Sequence, residues 1–277
     1  TPSNSSAASD VYKRQPLSPR EYPWLHAYVK RIAEKSGIEP PKLMLAEIPI
    51  PNAFAYGSPI AGRRVAVTTG LLQSLPREEV EAVVAHEIGH LKHRDMEVMM
   101  IASIMPAIIY ILGRWLMLAG IFSGGRRDER GGSIGLFAIG ALLMTFSFVL
   151  NLIVLGLSRL REYYADAHAA LTVNNGAIKL QRALARIVLT TKSLKVRGLD
   201  VSNYSQFRAL FIADPARAIE DSRAVSSIMY GRDNIMREIE RIKASKLTLW
   251  DRILELFSTH PNIIKRLKAL DNFARAA

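Results

Sequence analysis

Gly131–Ser158 reads GGSIGLFAIGALLMTFSFVLNLIVLGLS, 28 residues without an Asp, Glu, Lys, Arg or His. A bilayer core is crossed by about 20 residues of helix, so this segment is long enough by itself. Working back, Val98–Gly113 is also uncharged, and beyond Arg114 the apolar run resumes from Trp115 to Phe122. That stretch spans if Arg114 lies near the far interface and snorkels beside Trp115. Between the two sits a polar tip with Gly124, Gly125, Arg126, Arg127, Asp128, Glu129 and Arg130. The pair reads as a transmembrane helical hairpin over residues 96–157. The competing reading, two buried helices of a soluble core, requires core helices of this length with no polar face, which are unusual.

Composition agrees. The chain has 277 residues, 49% of them hydrophobic and 22% charged, and a mean hydropathy of +0.10. Such a value alongside so many charges means that the apolar residues are gathered into blocks. There is no cysteine, which excludes disulfides, thiolate ligands and thiol nucleophiles and leaves His and carboxylates for any metal. The net charge of +12 fits a soluble part facing anionic headgroups. Nucleic acid is not an expected partner, because the basic residues are spread along helical stretches such as Lys179–Arg186 and Arg232–Lys246 without a binding signature.

Upstream, residues 1–15 lack the apolar core of a signal peptide. Asp10–Gln15, DVYKRQ, is the one-frame translation of a transposase adapter end, so residues 1–15 are expected to be a non-native tail, with an ordinary disordered N-terminus as the alternative. From Tyr22 the pattern is helical, with Leu25, Val29, Ile32 and Ala33 on one stripe and Gly37 as the stop. Lys42–Ala46 and Arg64–Thr68 read as strands of a small hairpin or meander around a turn-rich stretch. Pro76, followed by Glu78, Glu79 and Glu81, opens a helix through His86 and His90, with Leu75 a poor residue for the N-cap.

His86-Glu87-Ile88-Gly89-His90 is H-E-x-x-H inside that helix. Residues four apart share a helical face, so both imidazoles reach one Zn²⁺ while Glu87 projects toward the metal's water as general base. Catalytic zinc takes three protein ligands. A histidine six residues beyond His90 would mark one large subclass, but that position is Met96, and the glycine expected three before it is His93. The remaining option is a carboxylate from a second helix. Glu162 in R-E-Y-Y-A-D stands directly after the second apolar segment, and two membrane crossings return the chain to the side it left. Asp166, one turn on, is placed to accept an imidazole N–H. The alternative for both acids is a solvated turn paired with Arg159 or Arg161. His26 and His168 read as structural, and His93 as a polar interfacial residue.

Four motifs in order, PNAFAYG (Pro51–Gly57), VAVTTGLL (Val65–Leu72), HEIGHLKHRD (His86–Asp95) and REYYAD (Arg161–Asp166), resemble the HtpX family of membrane zinc endopeptidases, relatives of the CAAX prenyl proteases. The resemblance runs from Pro16 to Ala277. It implies a mainly α fold with a small β element, a gluzincin-like metallopeptidase domain split by the hairpin into residues 16–95 and 158–277. It also implies one zinc per chain, multi-pass insertion in the cell membrane with a cytoplasmic catalytic face, membrane protein or peptide substrates, and two further transmembrane helices upstream. By resemblance Asn52 lines the substrate cleft, where an extended peptide pairs with a strand edge; a turn asparagine is the other reading. His260, with Pro261 and Arg266, resembles the family's late His-Pro element and would donate to the developing oxyanion, against the reading of a histidine at a helix start.

Besides a basic nucleic-acid-binding protein, which weak binding lost at moderate salt would dispose of, two rival functions remain at this level. One is a non-catalytic, zinc-containing membrane scaffold, against which Glu87 argues, since a structural site needs no carboxylate at an open coordination position. The other is a processing peptidase for lipidated C-termini. The sequence sets no oligomeric state.

Overall fold

The computed structural model describes residues 14–58, 62–123, 130–197 and 232–276. Strand β1 (Arg14–Pro16) leads to helix α1 (Pro23–Ser36), then β2 (Lys42–Ala46), β3 (Ala53–Ser58) and β4 (Gly62–Thr68). Helices α2 (Thr69–Ser74), α3 (Arg77–Lys92), α4 (Asp95–Ser123), α5 (Arg130–Thr172) and α6 (Gly176–Val196) follow. Helices α7 (Arg232–Ala244), α8 (Leu249–Leu256) and α9 (Ile263–Ala276) end the described chain.

The four strands form one sheet in the order β1-β2-β4-β3. β3 and β4 form an antiparallel hairpin, Phe54 opposite Ala66, whereas the expected hairpin lay between Lys42–Ala46 and Arg64–Thr68, which are β2 and β4. β2, however, pairs with β4 in parallel, Met44 opposite Ala66, so the sheet is not a meander. The reason is that residues 47–52 carry the chain past β4 before β3 begins, which leaves β3 as an outer strand. β1 starts within the segment set apart as a tail: Arg14 and Gln15 pair with Ala46 and Leu45 through main-chain bonds, which any side chains permit.

α1 ends as its sequence dictates, at Gly37 with φ 72°, whose N–H bonds back to Glu34. The start of α3 differs by one residue from expectation. Pro76 is itself the N-cap, and Leu75 closes α2, a short helix capped by the Thr68 hydroxyl accepting from Leu71 N–H. α3 runs through the middle of the soluble domain. Val80, Val83, Val84, Ala85 and Ile88 are each at most 1% exposed, covered by α1, α6, α5 and the sheet. A helix wrapped on all sides shows no amphipathic stripe, and its one buried acid near the start, Glu79, is held by a two-pronged ion pair to Arg186 on α6.

α4 and α5 are the hairpin. They are apolar over bilayer length. Most of their surface faces outward, and Ile104, Ile111, Leu142 and Ile153 are about half exposed or more. These are helices that present hydrocarbon outward, unlike the core helices of the soluble reading. They meet at small residues: a Cβ on Gly140 would lie 2.4 Å from Met117 N, and one on Gly120 2.6 Å from Phe137 N. The Ser147 hydroxyl adds a bond to Pro106 O at 2.7 Å, beside the position where proline interrupts the α4 ladder. Arg126 and Arg127, expected at the hairpin tip, lie outside the described residues.

α5 does not stop at the membrane boundary. It continues as one helix of 43 residues, about 64 Å at 1.5 Å per residue. The helix that carries Glu162 is therefore the continuation of the membrane helix, because no Gly or Pro occurs between Ser158 and Thr172 to end the run.

Candidate metal centre

α3 and α5 cross where Gly89 faces Ala165: a Cβ on Gly89 would sit 3.1 Å from Ala165 Cα and from His168 Cβ. The glycine between the two histidines thus sets how near the second helix comes. Glu162, three residues before Ala165, is carried onto the His86 and His90 face.

The resulting geometry is compact. His86 Nε2 and His90 Nε2 are 3.1 Å apart, Glu162 Oε1 is 3.7 Å from His90 Nε2 and Glu162 Oε2 is 3.8 Å from His86 Nε2. Among the described residues these three form the group able to hold a metal ion. Tetrahedral ligands at about 2.0–2.1 Å have donor atoms about 3.3–3.4 Å apart, and the three distances bracket that value. His86 is 1% exposed and Glu162 6%, so a cation there would be well shielded from water.

Each donor is held from behind. His86 Nδ1 lies 3.0 Å from Asp166 Oδ1, and His90 Nδ1 is bonded to Asp95 Oδ2 at 2.6 Å. Both arrangements fix which imidazole nitrogen faces the centre. Asp166 is held in turn by Arg266 through Nε at 2.9 Å and Nη2 at 2.6 Å, and Arg266 Nη1 lies 3.2 Å from Glu162 Oε2. Arg266 is 1% exposed, a buried cation matched by two buried carboxylates. On the other side Asp95 is paired with Arg161, whose Nη2 also donates to His93 O.

Glu87 is 4% exposed and accepts the Ala55 N–H of β3 at 2.8 Å. Burial, aided by the nearby Glu162 charge, pushes its carboxyl up to about 7, against the opposing pull of His90. Burial alone would lower His90, but the Asp95 bond and the Glu162 and Glu87 charges raise it to about 9. The surroundings of His90 therefore favour positive charge at this point, as a cation site must.

The sequence-derived candidates separate clearly. His86, Glu87, His90, Glu162, Asp166 and His260 come together, with His260 Nδ1 3.0 Å from Glu162 Oε1. Asn52 is 2% exposed, and its main chain is tied to Thr68 through Thr68 N, through Asn52 N–H to Thr68 Oγ1, and through the Thr68 hydroxyl to Asn52 O. The solvated-turn alternative for Glu162 and Asp166 is not realised: Arg161 goes to Asp95, and Arg159 to carbonyls at the end of α8. His93 caps α3 and its ring lies near Tyr164 and His168, outside the ligand group. His26 and His168 bond to Leu17 O and Ser36 Oγ, as structural residues do. The sequence assigns no role to Asp95 or to the Ala55 N–H and offers Arg161 only as an alternative partner of Glu162 or Asp166, although Asp95 closes one quoted motif and Arg161 opens another.

A family model described as Peptidase family M48 matches residues 19–274. The chain belongs to that family. Similar proteins include one named Protease HtpX homolog from Aeropyrum pernix, 44% identical over 265 residues, 95% of this chain and 79% of that protein. Another is Protease HtpX homolog 2 from Saccharolobus solfataricus, 38% identical, covering 96% and 79%. The crystal structure of S. mikatae Ste24p shares the fold, with a TM-score of 0.52 at 20% identity over 94% of this chain and 52% of that one. An M48 peptidase whose two apolar helices turn their side chains outward is a membrane metalloprotease.

Proposed function

We propose that this chain is a multi-pass zinc endopeptidase that cleaves membrane proteins or peptides at the cytoplasmic face of the cell membrane, in the quality control of membrane proteins. The observation that carries it is Glu87, a buried carboxylate beside the His86, His90 and Glu162 donors and bonded to the outer strand of the sheet. The donor set, two imidazoles and a carboxylate with no sulfur, is one that zinc takes in hydrolytic sites. Zinc so held supplies a Lewis acid that activates water near neutral pH and polarises the scissile carbonyl.

The rest is the work of the chain. Glu87 takes the proton from the attacking water and returns it to the leaving amine. β3 offers an edge on which an extended substrate adds as a further strand, with Asn52 at its start fixing its register to Thr68. His260 has an Nε2 without a hydrogen bond, available to the developing oxyanion while Nδ1 faces Glu162. The cytoplasmic orientation and the quality-control role rest on the likeness to proteins named HtpX.

Glu87→Gln is the test. The variant should keep full metal content and the wild-type melting temperature while hydrolysis of a model membrane substrate falls by about 10²–10⁴ or more. Turnover at the wild-type rate would sink the mechanism.

A further inference from the structure

α8 is built inside out. With 3.6 residues per turn, Leu249, Trp250, Ile253, Leu254, Leu256 and Phe257 occupy one arc of about 160°, with Asp251, Arg252 and Glu255 opposite. A helix on a water-facing surface turns such an arc inward. Here the reverse holds. Leu249 is 76% exposed and Trp250 72%, whereas Glu255 is 7% exposed, accepts from Asn262 N–H and is paired with Lys265.

The exposed arc is continuous with the membrane face. Phe257 lies 6.4 Å, ring to ring, from Phe148 of α5, a residue in the uncharged stretch and itself half exposed. Where that stretch ends, Arg159 donates to Glu255 O, Leu256 O and Ser258 O, and the Ser158 hydroxyl to Thr259 O. α8 is thereby pinned at the level where α5 leaves the hydrocarbon. Tryptophan is enriched at that depth, and the exposed Lys246 and Arg252 suit anionic headgroups.

We infer that α8 lies in the plane of the membrane interface with its apolar arc in the lipid, and so fixes the height of the catalytic cleft above the bilayer. Three residues separate its end from His260, so the lipid surface holds that side of the site in register with substrates emerging from the membrane. The inference rests on the membrane reading above.

The full chain has no cysteine, so single cysteines at Ile253, Leu142 and Lys30 can each carry an NBD probe in phosphatidylcholine–phosphatidylglycerol vesicles. The 253 probe should be quenched severalfold more by lipids with a shallow nitroxide than the 30 probe, and the 142 probe most by a deep one. A 253 probe that behaves like the 30 probe, or that neither lipid nor aqueous quenchers reach because residues 198–231 or a second copy cover it, overturns the inference. A 142 probe that no lipid quenches overturns the membrane reading as well. Functionally, Trp250→Glu with Ile253→Glu should lower cleavage of a bilayer-embedded substrate severalfold with a short soluble peptide cleaved as before. Equal loss on both substrates would mean that α8 only supports the fold.

Discussion

The two ends of α5 obey opposite rules within one unbroken helix. From Ile134 to Ile153 one face of large apolar side chains is exposed, Leu142 to 68% and Ile153 to 62%, whereas at Glu162 and Asp166 its charged side chains are 6% and 2% exposed. Burial is thus no guide to polarity unless the solvent is named. In the first region the surroundings are hydrocarbon, so apolar groups face out at no cost. In the second, carboxylates are buried because imidazoles, Arg266 and a cation site compensate the lost hydration. Rigid continuity between the two regions ties the metal donor to the membrane frame.

The sharpest test of this contrast is to remove the charge where it is buried. Glu162→Ala should largely empty the metal site and abolish hydrolysis, while His93→Ala keeps stoichiometric metal; metal content of the purified variants decides between them. If Glu162→Ala kept its metal and His93→Ala lost it, the ligand assignment would be wrong.

Adding a charge where apolar groups are exposed comes next. Leu142→Arg should oppose insertion by about 2.5–3.5 kcal/mol, read as loss of carbonate-resistant protein. Leu160→Arg, past the uncharged stretch, should change stability by no more than about 0.5 kcal/mol. Equal effects at the two positions would erase the boundary drawn at Ser158.

Asp166→Asn keeps the shape but weakens the hold on His86. Metal affinity should fall by about 10 to 100-fold, with activity recovered in excess zinc. A variant with wild-type affinity would mean that the Asp166 contact does not tune the site. The least change is expected from sidedness labelling, which alters no function: cysteines at 127 and at Lys30 should react from opposite sides of sealed vesicles. Reaction from one side would break the hairpin.

Much of this could be read in the sequence. H-E-x-x-H names its own chemistry because helical periodicity alone places residues 86 and 90 together, and the uncharged run of Gly131–Ser158 declares its solvent by composition. Glu162 was legible through topology, since a hairpin must return to the side it left. Arg266 and Asp95 were harder to assign. An arginine 100 residues from Asp166 carries no periodic signal, and an aspartate just beyond a histidine helix resembles an ordinary cap.

Local chemistry along the chain therefore pointed to the apolar hairpin and to His86, Glu87 and His90 as candidate site residues, and the hairpin's return added Glu162. Only the tertiary structure decided that β2 and β4 run parallel, that α5 continues through the membrane boundary into the site, and that α8 turns its apolar arc outward. Each of these depends on which surfaces meet across long sequence separations: Gly89 against Ala165, Arg159 against the end of α8, Arg266 between two acids. Such meetings are fixed by packing and charge compensation in three dimensions, and periodicity does not encode them.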